Sequence, residues 1–191
     1  MKKRTYQLVL TAVLSALAVC GGSMFSFPIG VAKCAPTQSL INIVAGVVLG
    51  PEWAVVQALL TSTVRNLLGT GTLLAYPGSI FGAWLSSWLF KRFGKIWLAA
   101  LGELIGTGLI GALVSYPIAA LLMSAKGSLF LFVPSFAVSA IVGGLLAWVI
   151  LKAAWQPISP VPINSPIAAS QILPKRLNSQ PLSQAPKILP G

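Results

Sequence analysis

Apolar residues occupy most of this chain in six long blocks, over residues 6–21, 37–50, 51–68, 73–90, 96–123 and 129–151. Each block is too long for a buried strand and too continuously apolar for a surface helix, which would show a polar stripe every 3.6 residues. Six helices therefore follow, most of them near the roughly 20 residues that a membrane crossing needs. The second block is the exception at about 14 residues, short for a full span. It carries Gln38 and Asn42 four positions apart, on one helical face, with Thr37 placed to cap its start. Gly50-Pro51-Glu52 then reads as a turn and a new helix start.

Two stretches break the pattern. Residues 22–36 hold Pro28, Gly30, Pro36, Phe25, Phe27 and the lone charge Lys33, and read as an apolar loop that either folds back as a lid or lies in the membrane interface. Residues 61–79 place Arg65 and Asn66 near the end of an apolar block, then Gly69-Thr70-Gly71-Thr72, then Tyr76-Pro77-Gly78. An arginine within a membrane segment costs at least a few kcal/mol and marks a functional site by default. In the fifth block, Glu103 is the only carboxylate set within an apolar run, between Gly102 and Gly106 at a spacing that lets helices approach closely. Pro117 is expected to kink that helix.

Composition fixes the class. Hydrophobic residues make up 56% of the 191 residues and charged residues 8%, against about 25% in soluble domains, so lipid must cover the surface. The net charge of +11 is gathered at block ends rather than interleaved with aromatics, which argues topology and not nucleic-acid binding. Lys2, Lys3, Arg4, Lys91, Arg92, Lys95 and Lys152 all fall on one side of a six-helix arrangement, and only Lys33 and Lys126 on the other. The expectation is an all-α membrane protein with six transmembrane helices and both termini cytoplasmic. The six tryptophans fall in or near the cytoplasmic half of that arrangement. Residues 1–152 form the expected membrane domain. Residues 153–191, rich in Pro, Ser, Asn and Gln, read as a disordered cytoplasmic tail.

The chemistry is that of binding, not catalysis. The chain has no histidine, and its 2 cysteines, Cys20 and Cys34, lack metal-ligand spacing. No phosphate-binding loop and no catalytic constellation is present, so no cofactor, metal or enzymatic activity is expected, and any energy source must come from a partner. Lys33, Gln38, Arg65, Asn66, Tyr76 and Tyr116 fall towards the outer face and suit a small aromatic solute. Arg65 and Glu103 lie at depths of roughly 20 Å and 10 Å from the inner end, too different for a direct ion pair on straight helices. Glu103 and Tyr116 share a cavity only if Pro117 or local unwinding rotates one of them. Ala12 and Ala16 share a face of the first helix, open to a close-packed neighbour.

Residues 5–152 resemble the ThiW family of substrate-binding S components of energy-coupling-factor (ECF) transporters. The resemblance rests on Lys33 with Pro36-Thr37-Gln38, the run from Arg65 to Thr72, Tyr76-Pro77-Gly78, Gly102-Glu103 and Tyr116-Pro117. It implies an S-component-like bundle in a prokaryotic plasma membrane. Its substrate, the thiamine precursor hydroxyethylthiazole, would bind near the outer face under the lid of residues 22–36. The implied partners are a transmembrane T component and two cytoplasmic ATPase subunits, docked on the Ala12/Ala16 face. Within that implication, Tyr76 and Tyr116 stack on the ring, and Gln38, Arg65 or Asn66 bond its hydroxyl or nitrogen. Lys33, Asn42 and Glu103 complete the candidate set. Two alternatives stay open: an S component for thiamine or its pyrimidine precursor, and a membrane scaffold that transports nothing.

Overall fold

The structure is a computed structural model that describes residues 3–29, 32–122 and 130–155. Its chain order is α1 (Lys3–Met24), β1 (Phe27–Ile29), β2 (Ala32–Cys34), α2 (Pro36–Leu49), α3 (Pro51–Leu67) and α4 (Ala75–Phe93). Next come α5 (Ile96–Glu103), a π-helical stretch (Leu104–Gly111) and α6 (Ala112–Leu122), joined end to end as one rod, and finally α7 (Val133–Trp155). The described residues thus form six helical rods and one small hairpin. Among the described residues, three helices are long and apolar enough to cross a membrane: Arg4–Met24, Ile96–Leu121 and Val133–Ala154. α2 is apolar but shorter, at 14 residues.

α1 buries Thr11, Leu14, Ser15 and Ala18, one face at helical spacing, against Ala54 and Ala58 of α3 and Ile41 and Ala45 of α2. Small residues on α3 let α1 lie close. Around α7, Ile43, Ala99, Ala147 and Leu151 form a second cluster that locks α2, α5 and α7 together. The rod from α5 to α6 packs on α4 backbone to backbone. A Cβ added to Gly106 would stand 2.5 Å from the Phe81 carbonyl, so only glycine permits this approach. The Gly102/Gly106 pair is therefore a packing face turned towards α4.

Four local expectations are corrected. The segment of residues 22–36 is not a plain loop. α1 runs on through Met24, and an antiparallel hairpin follows with Phe27 opposite Cys34 and Ile29 opposite Ala32. Thr37 is not the cap of α2; Pro36 opens the helix, Ala35 holds the cap position, and the Ala35 amide donates to Ser139 Oγ at 3.1 Å. Proline suits that first position because its missing N–H would have no partner there. The departure from α geometry in the fifth rod lies at Leu104–Gly111, upstream of Pro117, which sits inside α6. α4 begins at Ala75 and ends at Phe93, and α7 spans Val133–Trp155, each shifted by a few residues from its expected block. The expected loop around Lys126 and the tail beyond Trp155 lie outside the described residues.

Candidate functional site

Polar side chains from five elements converge beneath the hairpin. They enclose a cavity of about 50 Å³ with Lys33 of β2, Gln38 and Asn42 of α2, Arg65 of α3, Thr107 of the π stretch and Ser139 of α7 on its walls. The segment Thr70-Gly71-Thr72 forms its rim, and Phe136 contributes the aromatic surface.

Arg65 organises one end. It is 2% exposed. Its Nη1 donates to Gln38 Oε1. Its Nη2 donates to the carbonyls of Gly22 at 3.0 Å and Thr70 at 3.3 Å. Its own carbonyl accepts the amides of Thr70 at 3.0 Å and Gly71 at 2.9 Å, closing the turn that follows α3. That turn passes through Gly69 at φ +70°, a left-handed conformation that glycine adopts without strain. The guanidinium therefore ties α1, α2 and the rim together. From Gln38 the network continues through Nε2 to Ser62 Oγ at 3.2 Å, and from there to Ser79 Oγ at 2.9 Å. Lys33 Nζ reaches the same Thr70 carbonyl at 3.4 Å, fastening the hairpin to the rim.

Glu103 organises the other end from behind. It is fully buried and does not line the cavity. Its Oε1 accepts from Asn42 Nδ2 at 3.2 Å and lies 2.9 Å from Thr107 Oγ1, which also reaches the Gly78 carbonyl at 2.8 Å. Its Oε2 has no partner and packs against Gly82, where an added Cβ would stand 2.5 Å away. Among the described residues, neither Glu103 nor Arg65 forms an ion pair with the other or with a third group. The π stretch begins immediately after Glu103 and carries Thr107 to the carboxyl. The local unwinding on which a shared cavity depended is thus present, but Tyr116 remains elsewhere.

Of the eight candidate ligand residues, the structure gathers Lys33, Gln38, Asn42 and Arg65 on the cavity wall. The other four sit off it. Asn66 donates through Nδ2 to the Ser62 and Thr72 carbonyls at 2.8 and 3.1 Å, fastening the end of α3. Tyr76 donates its hydroxyl to Thr63 Oγ1 at 3.1 Å on the outer side. Tyr116 packs half-buried beside Leu74, Phe132 and Phe136. Sequence reasoning missed Ser39, Thr70, Thr72, Ser79, Thr107, Phe136 and Ser139. Thr107 carried a signal, since it stands four residues after Glu103 and so on the same helical face. Ser139 carried none. At the base of the hairpin, burial pushes the Cys34 thiol up from its ordinary value, the opposite of what a reactive cysteine needs. No cluster of three metal-ligating side chains occurs among the described residues.

A helical protein with membrane-length apolar rods around a small polar cavity belongs with the membrane proteins that handle small solutes. The model of one family, described as thiamine-precursor transporter protein (ThiW), matches residues 8–156, and the chain belongs to that family. Comparison with curated proteins and with solved structures finds no match for the chain. It is accordingly a membrane protein and a thiamine-precursor transporter component.

Proposed function

We propose that this chain is the S component of an ECF-type importer of the prokaryotic plasma membrane, with hydroxyethylthiazole as its substrate. Residues 1–152 form the binding unit, as six spans with both termini cytoplasmic, and residues 153–191 take no part. The observation that carries this reading is the cavity under the hairpin, where Gln38, Asn42 and Arg65 meet from two helices beside the aromatic ring of Phe136. A small neutral aromatic alcohol needs a ring surface and a few hydrogen-bonding groups. Phe136 takes the stacking role that the tyrosines were expected to fill. Lys33 belongs to the hairpin, which acts as the lid. Asn66, Tyr76, Glu103 and Tyr116 support the site rather than touch the ligand. The cavity would hold only roughly three to five waters, so the lid must move before a thiazole enters.

Energy comes from partners: a transmembrane T component and two cytoplasmic ATPase subunits. Ala12 and Ala16 support that assignment, because both stand exposed on the outward face of α1 while Thr11, Leu14, Ser15 and Ala18 face the core. Small exposed residues four apart leave a shallow seam for a partner helix.

Calorimetry on the detergent-purified chain tests the ligand, with thiamine and the aminopyrimidine precursor as competitors. Saturable hydroxyethylthiazole binding that neither competitor displaces is expected. Gln38→Ala or Asn42→Ala should weaken it about ten-fold, the equivalent of about 1.4 kcal/mol. Preferential binding of thiamine or the pyrimidine would move the assignment to another vitamin. Binding of none of the three would remove the ligand assignment. Ala12→Leu with Ala16→Leu should leave binding intact and abolish uptake in cells that supply the energising subunits. Undiminished uptake would remove the docking face.

A further inference from the structure

A second concavity lies away from the substrate cavity, between α5 and α7. It is a groove of about 450 Å³ with apolar walls that include Trp97, Ala100, Leu104, Gly144, Leu145 and Trp148. Its depth comes from small residues: a Cβ added to Gly144 would meet the Ala100 Cβ only at 3.5 Å, an ordinary contact. The two indole rings are 53% and 39% exposed, so no other part of the described chain covers them. Both groove-forming helices belong to the membrane-length set. Water cannot wet such a groove cheaply, and within a bilayer it is filled by hydrocarbon.

The occupant's headgroup is indicated by charge. Lys152 places Nζ 4.8 Å from the centre of the Trp148 ring, at the end of the groove where α7 approaches its last turn. Lys95 precedes the first residue of α5, two positions before Trp97. Their chain neighbours Leu151 and Ile96 belong to one packed cluster, which brings the two lysines to the same end of the groove. Lys91 and Arg92 close α4 just before that point. The chain holds 2 acidic residues, and among the described residues neither forms an ion pair with this cluster: Glu103 is buried behind the substrate cavity, and Glu52 opens α3 without a basic partner. Tryptophan rings at the interface, a cation over one of them and uncompensated lysines at the mouth of an apolar slot together form a receptor for an amphiphile with a negative head. Basic pockets between membrane helices recognise anionic lipid headgroups in this way. We propose that the α5/α7 groove is a binding site for one anionic phospholipid, an acyl chain lying along Ala100 and Gly144 and the phosphate held by Lys95 and Lys152. A helix of a partner protein fits the evidence less well, because it would leave the lysines with no stated anion.

The test uses the full chain purified in detergent and stripped of lipid. Phosphatidylglycerol and phosphatidylcholine with the same acyl chains are titrated in turn, with bound lipid counted by native mass spectrometry. Versions brominated along the acyl chain report occupancy by quenching tryptophan emission. Phosphatidylglycerol should bind one molecule per chain, with an advantage over phosphatidylcholine of about five-fold per lysine engaged. Lys95→Gln with Lys152→Gln should erase that advantage without changing helix content. Leu145→Phe, which adds bulk from an already exposed position without adding an indole, should fill the groove and reduce quenching by both lipids. Equal affinity for the two lipids would overturn the proposal, as would an advantage that survives the double lysine substitution. Quenching unchanged by Leu145→Phe would place the lipid elsewhere and also overturn it. Hydroxyethylthiazole binding is not needed for any of these readouts, so the two proposals stand or fall separately.

Discussion

Arg65 and Glu103 are both buried ionisable side chains in one bundle, and the fold surrounds them in different ways. Arg65 spends its two Nη groups on fixed acceptors, the Gln38 side chain and the carbonyls of Gly22 and Thr70, and leaves its buried Nε without a partner. Those acceptors belong to three separate elements, so the guanidinium is a clamp as well as part of the cavity wall. Glu103 meets Asn42 and Thr107 through Oε1, has the Ser39 side chain beside its carboxyl, and rests its Oε2 against a glycine. A charge with many donors is best stabilised by the backbone carbonyls that turns leave over. A carboxyl is best placed where a helix can deliver a hydroxyl and an amide. The difference teaches that a buried ionisable group in this fold is defined by what it orders around itself, and that the absence of a counter-ion is no sign of idleness.

Removing the clamp should have the largest effect. Arg65→Ala leaves two buried acceptors, Gln38 Oε1 and the Gly22 carbonyl, without this donor, while the Thr70 carbonyl keeps Lys33; at about 1–3 kcal/mol each, a loss of about 2–6 kcal/mol is expected. Thermal unfolding of the detergent-purified chain measures it, and an unchanged midpoint would show that the clamp is decorative. Arg65→Lys should recover only part of the loss, because an ammonium lacks the planar fork that spans three elements.

Gly82→Ala comes next. The new methyl would stand 2.0 Å from Thr107 Oγ1 and 2.5 Å from Glu103 Oε2, so one of the two must shift. Overpacking of this kind typically costs about 1–3 kcal/mol. Pairing it with Glu103→Ala should return part of that cost, and a strictly additive double mutant would mean that the glycine and the carboxyl do not touch. A smaller effect is expected from Asn42→Leu, which leaves the Glu103 carboxyl short of one donor for about 1–2 kcal/mol while removing a cavity-wall group. Its signature is a loss of ligand affinity larger than the loss of stability. Smallest of all should be Glu103→Gln. It keeps the shape and the Oε1 acceptor, so stability should move by less than about 1 kcal/mol. A shift of several kcal/mol would mean that the carboxyl's charge matters and that the contrast with Arg65 is drawn wrongly.

Much of this was legible in the chain. Six apolar blocks gave the helical rods, because burial in lipid forces every backbone group into internal hydrogen bonds. The arginine beside a glycine/threonine turn marked a functional site, though not a clamp, and Gln38 with Asn42 announced the polar face of α2. The hairpin was not legible. Its strands are three residues each, too short for alternation to register. The π stretch was hidden for a different reason: no residue-level preference separates it from the α-helix around it, and it coincides with the close approach of α4 at Gly106, a tertiary contact. The tyrosines misled because an aromatic residue's presence says nothing of its direction. Tyr76 faces outward to Thr63 and Tyr116 packs into a neighbouring cluster, while Phe136, unremarkable in a run of apolar residues, lines the cavity.

The narrowness of the cavity has a kinetic consequence. A pocket that must widen before its ligand fits makes capture a two-step process, and only the fraction of molecules already widened can bind. The observed rate of capture should therefore level off as ligand concentration rises, at a ceiling set by the opening of the hairpin. Cutting the Lys33–Thr70 tether should lift that ceiling and speed escape by a comparable factor. The hairpin would then act as a timer, fixing how long a captured molecule stays available for handing on.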